Sequence, residues 1–295
     1  MLGLRIGVVP GYGRAIVDRI DSLLDRVAEV CPLPKTADRL LELTSSDRAS
    51  IPEVARVILT DPALAAAVLR IANSAIFGGG NIDRLETAVM RMGLRDLHDM
   101  AAAMSLFAAF RNRGELLVNL HDRSVVAGAV AHRLAKTLGG VQPNVAFTSG
   151  LLSEIGAMAC LSVDGKEYSQ IWKSTDGVLE ERNRLERERY GGSTYMIGGR
   201  FLSRHRLPAT LCEAVATETD AEFETAEPLP RILALARFSA AITLLAGKSG
   251  DRLGALERLD ALPRALRGDE LNAERLFELC VQAGATAEQA LRTGR

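Results

Sequence analysis

Apolar residues recur along this chain at intervals of three and four, the spacing that lines one face of a helix. Ile16, Ile20, Leu23, Leu24 and Val27 share one such face. Val54, Val57 and Ile58 make a second stripe, Leu64, Val68 and Leu69 a third, and Leu85, Val89 and Met92 a fourth. The polar residues between the stripes mark helix starts. In Ser50-Ile51-Pro52-Glu53 the hydroxyl can accept an early backbone N–H while Glu53 reaches back, a capping box. Asp83 and Glu86 have the same spacing. Thr60-Asp61-Pro62 opens a helix with proline in the first turn, where its missing N–H costs nothing. Gly93 suits a left-handed terminator. An Ala- and Met-rich pattern then runs from Leu94 to Phe110. Further helices are predicted over about 122–138, 144–162, 177–190, 193–205, 208–218, 231–247 and 270–292. Leu4 to Val9 is β-like, and Gly11-Tyr12-Gly13 follows it. The third glycine of a nucleotide-binding turn is replaced by Ile16, and no alternating strand–helix pattern follows. The fold class is therefore all-α.

Breaks in the pattern suggest an organisation. Arg111-Asn112-Arg113-Gly114 separates a helical bundle at 25–113 from a second helical subdomain at 114–225. Residues 1–24 form an N-terminal segment, and a Pro-containing joint from Glu224 to Pro230 leads into C-terminal helices at 226–295 that complete or cap the second subdomain. Gly78-Gly79-Gly80 must be flexible or sharply turned. With Phe77 it offers a surface a partner backbone could approach, although a loop between helices is the preferred interpretation. From Glu180 to Arg189 the chain is dense in charge, and the four-residue spacing of Glu180 and Arg184 predicts a solvated face.

Composition narrows the field. Hydrophobic residues are 47% and aromatics 4%, so the core is built from Ala, Leu, Val and Ile, which suits packed helices better than sheets. A formal net charge of −1 gives no global pull toward nucleic acid or an anionic membrane, and no basic recognition helix stands out. Cys31, Cys160, Cys212 and Cys280 lie far apart, which removes zinc-ribbon and thioredoxin-like readings and predicts buried, reduced thiols in a cytoplasmic protein. The N-terminus lacks a signal-peptide pattern. Met100–Phe110 and Ile232–Ala246 are too short or carry an arginine, so no membrane span is expected.

Several short motifs form a connected series. Leu33-Pro34 precedes a Leu-rich helix, Thr60-Asp61-Pro62-Ala63-Leu64 precedes another, and Asn73-Ser74-Ala75-Ile76-Phe77-Gly78 follows it. Ala88-Val89-Met90-Arg91-Met92-Gly93-Leu94 closes the set. In order and spacing the series resembles the HDOD family, the HD-related output domains of bacterial signalling proteins, over about residues 25 to 225. That resemblance implies an N-terminal helical bundle packed on an HD-phosphohydrolase-like helical subdomain, in a regulatory rather than hydrolytic protein.

Hydrolysis at an HD site needs His and carboxylate ligands converging on metal that activates water. Against that frame, the resemblance puts other side chains at the ligand positions. Gly150-Leu151-Leu152-Ser153-Glu154-Ile155-Gly156 has the frame of a Gly-Leu-Leu-His-Asp-Ile-Gly helix, with Ser153 and Glu154 in place of the metal-binding pair. In Leu120-His121-Asp122-Arg123-Ser124, Arg123 falls at the first ligand position and His121 two residues early. Thr194 takes the place of the next histidine, Glu218 falls near a usual His-His pair, and Arg237 replaces the last Asp. A guanidinium repels a metal cation and offers no lone pair. His98, His132 and His205 are scattered over different helices. No Gly-x-Ser-x-Gly elbow or Walker loop supplies another catalyst.

These residues predict no catalytic group, no metal and no cofactor. The expected role is a response-regulator-type output or adaptor, in contact with signalling proteins such as a receiver or a kinase. Two alternatives stand beside it: a metal-dependent phosphohydrolase with shifted ligands, and a receptor for a cyclic dinucleotide or other phosphorylated anion held by Arg123 and Arg237. Guanidinium forks suit phosphate. An internal ion pair with Glu154 is preferred over that pocket, because buried ions need partners.

Overall fold

The computed structural model describes residues 13–44, 50–110, 114–175, 179–218, 227–262, 264–267 and 271–292. Helices make up the fold, and no strand occurs among the described residues. The β-like run at Leu4–Val9 and the Gly11-Tyr12 pair lie outside them.

The first half is a bundle of α2 (Lys35–Thr44), α3 (Ile51–Leu59), α4 (Pro62–Asn73), α5 (Leu85–Met92) and α6 (Leu94–Ala108), which pack on one another. Local chemistry sets the helix starts. Glu53 Oε2 accepts from the Ser50 N–H at 3.0 Å, closing the capping box. Asp61 Oδ1 accepts from Ala63 N at 3.0 Å and Leu64 N at 3.1 Å at the head of α4. The box expected at Asp83 and Glu86 does not form. Helix α5 starts at Leu85 with Arg84 at its cap, one residue later than that box requires. Between α4 and α5 a 3-10 turn, Ala75–Phe77, is held by Asn73, which donates Nδ2 to Ile82 O at 2.7 Å and accepts from Ile82 N at 2.5 Å. Arg91 donates to the Gly79 carbonyl. Phe77 therefore turns inward, its ring 5.3 Å from His132 and 5.2 Å from Phe147.

The second half is built on α7 (Glu115–Leu138), α8 (Pro143–Leu151) and α9 (Ile155–Val163), followed by α10 (Gly165–Ser174), α11 (Leu179–Tyr190), α12 (Thr194–Arg204) and α13 (Ala209–Ala216). The C-terminal helices are α14 (Pro228–Ser249), α15 (Arg252–Asp260), α16 (Arg264–Arg267) and α17 (Ala273–Arg292). Helices α14 and α17 pack on α7, and α17 also reaches α4 and the 3-10 turn. Three helices, α10, α15 and α16, escaped the periodicity analysis, as did the first turns of α7. The helix expected over 144–162 divides instead into α8 and α9. The division follows from a tight turn in which Ser153 N donates to Gly150 O and Ile155 N to Leu152 O, both at 3.1 Å.

Glycine permits two backbone-to-backbone crossings. A Cβ added to Gly150 would lie 2.5 Å from Gly128 Cα, so α7 and α8 touch without side chains between them. One added to Gly156 would lie 1.8 Å from the Thr194 carbonyl oxygen, which fixes α9 against α12. Helix α1 (Arg14–Val30) lies on α9, α11 and α12 rather than on the bundle. Asp21 accepts two bonds from Arg200, at 2.8 and 2.7 Å, and Arg26 pairs with Asp164 at 2.5 Å. The Arg200 bonds hold the Asp21 carboxyl below its usual pKa.

Two apolar stretches, Pro143–Val163 and Pro228–Gly247, are long and apolar enough to cross a membrane by length and composition. The first is 94% buried within the fold, so core packing accounts for its character.

Candidate functional site

The turn between α8 and α9 places Ser153 and Glu154 at the centre of the second half, 2% and 3% exposed. Arg123, from α7, donates Nε to Glu154 Oε1 at 3.0 Å. The internal ion pair expected from sequence is thus the arrangement found. Burial pushes the Glu154 carboxyl up. The nearby charges of Arg123, Arg182 and Arg237 and the Arg123 hydrogen bond outweigh it, so the pKa falls below the usual glutamate value.

Guanidinium groups and aromatic rings alternate in a row across this centre. Arg123 lies 5.2 Å from the ring centre of Trp172, and Arg182 lies 4.9 Å from the same ring. Arg182 is also 5.8 Å from the Tyr195 ring, and Arg237 is 4.3 Å from it. Each contact has cation–π geometry, which gains strength when desolvated. Arg182 Nη2 donates to Tyr195 Oη at 3.0 Å. Arg237 donates Nη1 to Thr217 O at 3.1 Å and Nη2 to Val215 O at 2.8 Å. Arg123 and Arg237 therefore stand at opposite ends of one row, each already bound.

A second carboxylate lies behind the row. Glu186, fully buried, sits 3.4 Å from Arg182 Nε. Its Oε2 accepts from Thr194 N at 2.8 Å and Thr194 Oγ1 at 3.0 Å, and its Oε1 accepts from Tyr168 Oη at 3.1 Å. Burial raises the Glu186 pKa above the ordinary value, opposed by Arg182 and by these bonds. Thr194 thus serves as a donor to Glu186. Glu218 pairs with Arg187 and is not part of the row.

Arg182, Glu186, Trp172, Tyr168 and Tyr195 were not singled out from the sequence. The charge-dense run at 180–189 was expected to be a solvated helix. On one side Arg184 does pair with Glu181 and Glu188. The Glu180 side chain lies outside the described residues. The other side is buried: Arg182 is 3%, Asn183 5% and Glu186 0% exposed. The signal was present in the four-residue step from Arg182 to Glu186, but a buried and a solvated ion pair have the same spacing.

These residues do not fit a divalent metal. Glu154 is engaged by a cation, Arg237 brings a second cation, and Ser153 is a neutral hydroxyl. Among the described residues no three His, Cys, Asp or Glu converge as a ligand set. The histidines have other surroundings. His98 Nε2 lies 2.5 Å from Leu40 O, the His205 ring meets Phe201 edge-on at 4.5 Å, and the His121 ring stacks on Phe107 at 4.2 Å. All four cysteines are buried, and none forms a disulfide among the described residues. Burial raises the thiols of Cys212 and Cys280 to about 12, which keeps them protonated and poorly nucleophilic.

The HDOD domain family matches residues 30–221. Among solved structures, "Putative phosphohydrolase from Shewanella amazonensis SB2B" is 24% identical, with a TM-score of 0.69, covering 92% of this chain and 97% of that one. An HDOD domain protein with unknown function from Geobacter sulfurreducens is 21% identical, with a TM-score of 0.64 over 93% of this chain and 99% of its own. A third, "Putative signal transduction protein from Marinobacter aquaeolei VT8", is 20% identical, with a TM-score of 0.66 over 98% of this chain and 67% of its own. These likenesses establish a common helical fold. No curated protein matches significantly.

Proposed function

The chain belongs to the HDOD family, and from that premise we propose that it is a non-catalytic output or adaptor domain of bacterial signal transduction, acting in the cytoplasm through contacts with signalling proteins such as a receiver or a kinase. One observation carries the reading. Arg123, Glu154 and Arg237, which the family resemblance puts at metal-ligand positions, lie in a packed row with Arg182, Trp172 and Tyr195, and Glu154 is bound to Arg123. A metal would have to enter against three positive charges and take Glu154 from Arg123. One structural neighbour also bears a signal-transduction name.

The test combines metal analysis with turnover. Purified full-length protein is offered manganese, iron and zinc, dialysed, and assayed on phosphodiesters and phosphomonoesters. The adaptor reading expects neither stoichiometric retained metal nor turnover above buffer. Metal-dependent turnover that Glu154→Gln abolishes would overturn it in favour of a hydrolase with shifted ligands.

A second reading, an anion receptor, has a specific observation behind it. Three guanidiniums face two carboxylates, and Arg237 Nε and Ser153 Oγ are buried without hydrogen-bond partners among the described residues. The commitments of Arg123 to Glu154 and of Arg237 to two backbone carbonyls weigh against it. Titration with cyclic dinucleotides decides. Binding lost in Arg123→Ala or Arg237→Ala would favour the receptor.

A further inference from the structure

Where the bundle meets the second half, the packing leaves a cavity of about 330 Å³. Helices α4 and α6 form one wall, α7 and α8 the other, and Ala287 of α17 lies over it. Exposed Ala63 and half-buried Pro34 and Asp61 are part of its lining, so the space is a cleft open to solvent on that side, far larger than the gaps ordinarily left in a packed interior. It equals roughly ten shares of liquid water at ~30 Å³ each, within the ~300–1,000 Å³ of small-molecule sites.

The wall chemistry is uneven. Leu64, Ile71 and Ile76 from the bundle face Val125, Phe147 and Leu151 from the second half, so most of the lining is carbon. The Phe107 ring, stacked 4.2 Å from the His121 ring, adds a flat aromatic face. The polar side chains on the wall are those of Asp61, Ser105 and His121. Ser105, 3% exposed, lines the cavity, and its Oγ has no hydrogen-bond partner among the described residues. A buried hydroxyl left unpaired is costly, and native structures rarely keep one without a use. Asp61, at the edge, already accepts the first amides of α4, and its negative charge disfavours an anion.

We infer that this seam cavity binds a small, uncharged, largely apolar molecule that carries one hydrogen-bonding group, with the group on Ser105 and the apolar body between Ile71 and Leu151. The occupant contacts both halves at once, so binding biases how they sit together. That is the input a signalling domain needs. The inference stands on the seam alone and survives failure of the adaptor reading, because its test uses no metal, turnover or partner protein.

The experiment titrates the full chain with 1-decanol and, separately, with decanoate, by calorimetry. Decanol is expected to bind saturably at one site with a Kd on the order of 10 μM, and decanoate at least several-fold more weakly. Ala67→Phe fills the cavity from α4 and should abolish decanol binding. Ser105→Ala should weaken it about tenfold, the ordinary effect of a lost buried hydrogen bond. Circular dichroism checks that each variant folds. Should Ala67→Phe unfold the chain, Ala108→Phe on α6 fills the same space. Absence of saturable decanol binding, or unchanged binding in a folded filling variant, overturns the inference. Tighter binding of decanoate overturns the uncharged head group.

Discussion

Two interior regions of this molecule solve the problem of a buried space in opposite ways. In the second half, charged side chains fill the centre and satisfy one another: Arg123 with Glu154, Arg182 with Glu186 and Tyr195, Arg237 with backbone carbonyls. At the seam between the halves, mostly carbon-lined walls leave a cavity onto which the buried Ser105 hydroxyl opens without a hydrogen-bond partner among the described residues. The centre is bound together by groups that cannot be removed one at a time without exposing an uncompensated charge. The seam is bound by dispersion and apolar burial, which yield gradually. A region of the first kind is suited to fixing shape, and one of the second to responding.

The strongest way to break this contrast is to remove one charge from the centre. Glu154→Gln leaves Arg123, Arg182 and Arg237 facing Glu186 alone, and should cost about 3–5 kcal/mol in urea unfolding, the usual loss when a buried ion pair is opened. A loss below about 1 kcal/mol would mean that water screens the row and that the centre is not a closed network.

Acid should separate the two regions in order. His132, buried on α7 beside Phe77, has its pKa lowered from 6.5 to about 4, by burial first and then by Lys136 and Arg133. The unfolded chain therefore binds the proton more readily than the folded one. The neutral ring's contribution is present above pH 6.5 and lost as pH falls from 6.5 toward 4, on the order of 3 kcal/mol in all. Glu154 runs at lower pH. Its folded pKa lies below the usual 4.5, so its contribution is present above 4.5 and lost as pH falls through the lowered value. The seam should weaken before the centre. Urea midpoints measured across this range should show the first decline, and His132→Phe should flatten it. An unchanged decline in that variant would assign it to other groups.

A smaller effect sharpens the same comparison from the seam side. Asn73→Ala removes both bonds to Ile82 that hold the 3-10 turn, and should cost about 2 kcal/mol at roughly 1 per bond. The Trp172 fluorescence, which reports on the centre, should stay unchanged below the unfolding transition. A Trp172 shift in the folded variant would show that the two regions are coupled.

Much of this architecture was legible in the residues. The stripes of Val54 to Ile58 and Leu64 to Leu69 became α3 and α4, and the order of short motifs pointed to the family over nearly the span that matches. The Arg123–Glu154 pair was legible because the family resemblance puts both at ligand positions and a buried ion needs a partner. The rest of the centre was not. Trp172, Arg182 and Tyr195 come from three separate helices, and no local pattern shows that their faces converge beside Arg237, which the family resemblance had already put at a ligand position. The division of α8 from α9 was hidden too, since Pro143 to Val163 is mostly apolar and 94% buried, and periodicity cannot show a turn in a buried run. The cavity had no signature at all. It is a space left by packing, and Ser105 looks like any small residue in an Ala-rich helix.

The crossings at Gly128–Gly150 and Gly156–Thr194 carry a mechanical consequence. Helices that meet through side chains can glide as rotamers readjust, but here main chain abuts main chain, and there is nothing to readjust. The second half behaves as a locked frame. Helices α4 and α6 of the bundle contain no glycine, so no crossing of this kind can form on them and their contacts run through side chains whose rotamers can adjust.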